Sequence, residues 1–91
     1  MSDEVRATFT LSNRLGLHAR AATRLSQVAS NYDALVIVEK DGERARATSV
    51  LELLMLCGQA GSQVAVVATG KQAAEVVEAI GQLIQDRFDE E

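Results

Sequence analysis

The chain contains a single histidine, His18, in the run Gly16-Leu17-His18-Ala19-Arg20-Ala21-Ala22, where a glycine-containing loop opens a helical pattern. The first N–H groups of a helix lack intrahelical acceptors, and the helix dipole makes that end positive. A phosphate carried by His18 would meet those donors, from Ala19 and Arg20, together with the Arg20 guanidinium. The same positive field disfavours imidazolium and favours a neutral, nucleophilic ring. Gly16 would let backbone approach closely. The residues alone leave a second reading open, in which His18 is a helix cap or an ordinary surface residue.

Other residues with chemical potential are few. One cysteine, Cys57, cannot close an internal disulfide, and with one histidine the chain has no Cys/His set for zinc. Cys57 reads as a small core residue in a reducing compartment. No metal site is expected. Ser49-Val50-Leu51-Glu52 has the spacing of a capping box, in which the hydroxyl accepts from the backbone N–H three residues on and the carboxylate reaches back. The acidic tail, Asp86, Asp89, Glu90 and Glu91, reads as a solvated end.

Composition limits what such a site could serve. Ninety-one residues suffice for one domain, spanning 1–91, and no apolar run approaches the roughly 20 residues of a bilayer span. Nine Lys and Arg against 13 Asp and Glu give a net charge of −4, the wrong sign for bulk binding to nucleic acid. Only Phe9, Tyr32 and Phe88 are aromatic, so stacking surfaces are scarce. The opening Met-Ser-Asp-Glu-Val-Arg lacks the basic and apolar regions of a secretory leader, and a cytoplasmic location is expected.

The elements that must position His18 follow from periodicity. Val5, Ala7, Phe9 and Leu11 alternate with Arg6, Thr8 and Thr10, which predicts a half-buried strand. Ser12 to Gly16 carry turn chemistry, and Leu17, Ala21, Ala22, Leu25, Val28 and Ala29 predict a helix from about His18 or Ala19. Leu35–Lys40, Asp41-Gly42 and 43–47 read as a hairpin with a polar second strand. A short helix should run from Ser49 to about Cys57. After the loop 58–62, a buried strand spans 64–69 and a long helix extends from Ala73 to Phe88. The order βαββαβα predicts a two-layer sandwich with three helices over one face of a four-stranded sheet and water on the other.

The segment Gly-Leu-His-Ala-Arg-Ala-Ala after a first strand of this length closely resembles the active-site segment of HPr, the histidine-containing phosphocarrier family of the bacterial phosphoenolpyruvate-dependent phosphotransferase system. Ser49 opening an apolar helix, Gly58 to Ser62, Val64 to Ala68 and Lys71 to Phe88 continue the resemblance over nearly the whole chain. It implies an α+β open-faced sandwich with a four-stranded antiparallel sheet. It also implies that His18 accepts a phosphoryl group on Nδ1 from phospho-Enzyme I and passes it to an Enzyme IIA-type acceptor, in sugar uptake or in a nitrogen-related regulatory branch. The chain would then be a stoichiometric carrier and not an enzyme, and a monomer without cofactor, nucleic-acid partner or membrane insertion. Arg20 would stabilise the moving charge, with the N–H groups of Ala19 and Arg20 binding phosphate.

In the same resemblance, exposed members of Val50, Leu51 and Leu54 form a docking patch beside His18. Leu53 and Leu56 pack in the core, and Arg20, Arg24 and Gln27 supply the polar rim. Ser49 matches a serine that a dedicated kinase phosphorylates in some members, although the capping spacing accounts for it already. Ala21 stands where most members have Pro, and Glu52 where many have a small or basic residue, placing negative charge in the patch. The alternative function is a non-catalytic docking module for a kinase, transcription factor or metabolic enzyme, in which His18 only caps its helix.

Overall fold

A computed structural model describes residues 4–90. Strand β1 (Val5–Thr10) leads through a loop to α1 (Ala19–Ala29), followed by the hairpin β2 (Leu35–Lys40) and β3 (Glu43–Arg46). Helix α2 (Val50–Met55), β4 (Gln63–Thr69), α3 (Ala73–Gln85) and a terminal turn (Arg87–Asp89) complete the chain. The hairpin turns at Asp41-Gly42, both at positive φ, the conformation a two-residue connection needs to match strand twist.

All strand pairs are antiparallel, in the order β1-β4-β2-β3. Register sets the layers. Across the sheet Ala7, Val66 and Val38 share one face, and Val38 sits opposite Ala45. This face meets Leu25, Leu53, Val76, Ile80 and Ile84 from the helices, all fully buried. Helix α1 packs against both α2 and α3. The predicted two-layer α+β sandwich is therefore the observed one.

The other face carries the next residues of each strand. Glu39 on β2 accepts Arg6 of β1 at 3.0 Å and pairs with Arg44 of β3 at 3.1 Å, a network that reaches over β4. Arg6 and Arg44 are exposed and Glu39 is half-buried, and such surface pairs contribute little to stability while keeping this sheet face polar.

The chain departs from the sequence expectation at two connections. Helix α3 stops at Gln85, three residues short of the predicted Phe88, because Arg87, Phe88 and Asp89 adopt φ of 55°, 56° and 61°. Such left-handed backbone costs a non-glycine residue about 1–2 kcal/mol. Part of that cost is returned by Phe88, which turns into the core and is fully buried, worth roughly 1.5–3 kcal/mol. Cys57, expected in the core, is exposed at φ 54°, because α2 ends at Met55 and the chain reverses there.

Candidate functional site

The loop between β1 and α1 is fixed by backbone pairing to the segment before β4. Leu11 N–H donates to the Ser62 carbonyl at 2.8 Å, Gly61 N–H to the Leu11 carbonyl at 2.7 Å, and Leu17 N–H to the Gly58 carbonyl at 2.7 Å. Gly16 sits at φ +63°, and a Cβ there would collide with the Gly58 carbonyl oxygen. The close approach that this glycine permits is thus internal, between two loops of the same chain. It brings Cys57, Gly58, Gln59 and Ala60 beside His18, where they share one depression with Leu15.

His18 is the N-terminal cap residue of α1, with extended backbone, and its carbonyl accepts the first helical hydrogen bond from Ala22 N–H at 2.8 Å. Its ring makes no capping hydrogen bond, and the first turn holds no acidic residue. The N–H groups at the start of the helix therefore face outward without a side chain to satisfy them. His18, Ala19, Arg20, Arg14 and Leu15 line a second recess at this point, with Glu90.

Asp86 and Asp89 are exposed, as the reading of a solvated end expects, but Glu90 is not. Its Oε2 contacts His18 Nε2 across 72 residues of sequence, and its Oε1 accepts from Asn13 Nδ2 at 3.2 Å. The Glu90 side chain retains 14% of its exposure and the His18 side chain 24%. Burial acts to raise the proton affinity of Glu90. Hydrogen bonds from Asn13 and His18 and the positive charge of Arg20 outweigh it, holding the carboxyl below the usual carboxylate range. The field at the ring is thus not set by the helix end and Arg20 alone, as the sequence suggested, but also by an anion. Glu91 lies outside the described residues.

Asn13, buried to 1% exposure, also donates to the Gly16 carbonyl at 2.7 Å, while its Oδ1 has no partner among the described residues. The terminal turn is held from α1, where Arg24 Nη1 donates to the Phe88 carbonyl. That contact draws Arg24 toward the tail, away from the rim around α2 where the sequence placed it. Gln27 stays exposed.

At the start of α2, Ser49 Oγ accepts from Glu52 N–H at 3.2 Å, the predicted cap. The reciprocal half of the box does not form. The Glu52 carboxylate instead accepts from Arg46 N–H at 2.8 Å and Arg46 Nε at 2.9 Å, and these bonds hold it below the usual carboxylate range. Glu52 is consequently a charge partnered by Arg46 on the β3 side, where the sequence reading placed a negative charge in the patch. Of the apolar residues on α2, Leu51 and Leu54 are exposed, Leu53 and Leu56 are buried, and Val50 is half-buried against the core. Met55 and Leu15 are also exposed, and the sequence reading did not single them out as surface. An apolar residue within the loop before His18 was the available signal for Leu15.

The family model described as "PTS HPr component phosphorylation site" matches residues 5–86. The chain belongs to the HPr family. It is 42% identical to the phosphocarrier protein NPr of Klebsiella oxytoca over 88 residues, covering 96% of this chain and 98% of that one. It is 37% identical to the phosphocarrier protein HPr of Cupriavidus necator over 81 residues, covering 89% and 91%. The crystal structure of HPr-C-His from Thermoanaerobacter tengcongensis superimposes with a TM-score of 0.92 at 33% identity, covering 96% of this chain and 98% of that chain. HPr-family membership makes the molecule a phosphocarrier of the phosphotransferase system, a carrier of phosphate and not an enzyme. Among the described residues no helix is long and apolar enough to cross a membrane.

Proposed function

We propose that His18 accepts a phosphoryl group on Nδ1 from the phosphohistidine of Enzyme I and passes it to an Enzyme IIA-type acceptor. The observation that carries this reading is the state of the His18 ring. It stands at the N-terminus of an eleven-residue helix, on the rim of an open recess, and it does not cap that helix. A module that used His18 only as a cap would engage the ring with the backbone, so the docking-module alternative loses its reason for the residue. Transferred phosphate meets the N–H groups of Ala19 and Arg20 and the Arg20 guanidinium, donors already oriented before charge develops.

Partners dock on Leu51 and Leu54, with Val50 at the edge and with Arg20 and Gln27 as polar contacts, Arg24 being held at the Phe88 carbonyl. Ser49 acts as a cap, since its hydroxyl already accepts from Glu52 N–H. The cap accounts for Ser49 without phosphorylation. The protein works in the cytoplasm as a monomer, in the nitrogen-related regulatory branch. Greater identity to a protein named NPr than to one named HPr, 42% against 37%, supports that branch. Incubation with phosphoenolpyruvate and Enzyme I tests the reading: one acid-labile phosphate per chain is expected, and a protein that stays unlabelled with a demonstrably active Enzyme I refutes it.

A further inference from the structure

The contact between Glu90 and His18 joins the two ends of the sequence and is supported at every step. Phe88 anchors the terminal turn in the core, and Arg24 holds its carbonyl. Three left-handed residues then aim the chain back toward α1. The Glu90 carboxylate is itself oriented, because Asn13 occupies Oε1 while Oε2 faces the ring. Asn13 in turn is locked by burial and by the Gly16 carbonyl. A carboxylate placed in this way against one imidazole nitrogen dictates the state of the other.

A neutral imidazole carries one N–H and one lone pair. An anionic oxygen at Nε2 repels a lone pair and attracts a proton, so the proton resides on Nε2 and the lone pair on Nδ1. We propose that Glu90, oriented by Asn13, is a positioning residue that fixes His18 as the Nε2–H form and thereby makes Nδ1 the phosphoryl-accepting nitrogen. The inference rests on the reading of His18 as the carrier. In the transfer step the Nδ1 lone pair forms the new N–P bond as the N–P bond of the donor phosphohistidine breaks, its electron pair returning to the donor ring. No proton leaves His18. Its ring becomes a phosphoimidazolium with Nε2 still protonated, and the Glu90 carboxylate balances that charge. When an acceptor attacks phosphorus, the Nδ1–P electrons return to the ring and regenerate the starting Nε2–H form. Arg14 and Arg20, the other charges lining the recess, are left to meet the phosphoryl oxygens.

The test uses the whole chain labelled with nitrogen-15. Two-bond proton–nitrogen spectra report the His18 tautomer before any phosphorylation, and rapid quench with phospho-Enzyme I reports the acceptance rate. The wild type should show the Nε2–H form alone. Glu90→Ala should admit the Nδ1–H form and slow acceptance about tenfold or more, the scale seen when a group orienting a histidine is removed. Glu90→Gln should shift the ring further toward Nδ1–H: Asn13 still claims the amide oxygen, leaving the amide N–H₂ facing Nε2. Glu90→Asp should recover part of the rate. Amide spectra that match the wild type away from the site exclude a folding defect. If Glu90→Ala leaves tautomer and rate unchanged while phosphate still appears on His18, the role of Glu90 is overturned and the carrier reading stands. If phosphate never appears on His18 in the wild type, both fall.

Discussion

Helices α1 and α2 begin in opposite ways. The start of α2 is closed locally: Ser49 takes the N–H of Glu52, and Glu52 takes the backbone and side chain of Arg46, all within seven residues. The start of α1 is left open. His18 supplies only its backbone to the helix, and the ring turns to a carboxylate 72 residues away. A locally satisfied helix end is a stabilising device with no capacity left for a ligand. An unsatisfied end beside two arginines, backed by a distant carboxylate, keeps its donors for something that comes and goes.

The contrast is broken most completely by His18→Ala. Phosphate acceptance should vanish, while circular dichroism and thermal midpoint stay near wild type, because the half-buried ring lies outside the core and holds no helix donor. Retained acid-labile labelling in that variant would count against the open end as the site. Arg20→Ala should come next, lowering the single-turnover transfer rate by on the order of 10²–10³ with little change in affinity, since its guanidinium meets charge that develops on the moving group.

Leu51→Asp probes the proposed docking surface. A carboxylate desolvated in the centre of an interface should weaken binding of Enzyme I by about 2 kcal/mol or more in a titration. Folding should be little affected, because Leu51 is 69% exposed. Unfolding by this substitution, with no binding defect in Leu51→Ala, would move the docking surface elsewhere.

The smallest effect belongs to the closed end. Ser49→Ala should cost about 1 kcal/mol of stability in denaturant and leave transfer untouched. The Glu52 carboxyl is lowered first by its hydrogen bonds from Arg46, so its contribution is present above the ordinary glutamate range. It is lost as pH falls through the lower value held in the fold. Glu52→Gln should flatten that acid limb of the stability curve, and an unchanged curve would mean that the Arg46 contact is not formed in solution.

The same distinction between local and distant partners governs how far the sequence could be read. Strands were legible because alternation such as Val5-Arg6-Ala7-Thr8-Phe9 has one physical cause, a sheet with one wet face. The Ser49 cap was legible because donor and acceptor are three residues apart. His18 and Arg20 could be picked out because a helix start is itself a local pattern. Glu90 could not, since acidic residues at a chain end resemble any solvated tail until Phe88 is known to be buried. That burial in turn depends on three left-handed residues with no glycine to announce them. Cys57 was misplaced for a related reason: composition favours burying a lone cysteine, and only the early end of α2 at Met55 turns it outward. The destination of Glu52 was hidden because the capping spacing offered it a nearer partner than Arg46.

The central claim is that the open helix end carries phosphate and the closed one does not. It is tested most directly by mapping phosphate on the intact protein after reaction with phosphoenolpyruvate and Enzyme I. Phosphorus-31 and nitrogen-15 spectra at alkaline pH would assign the bond. The account predicts one N–P bond, at His18 Nδ1, and an unmodified Ser49. Phosphate on Nε2, on Ser49, or absent from His18 would contradict it.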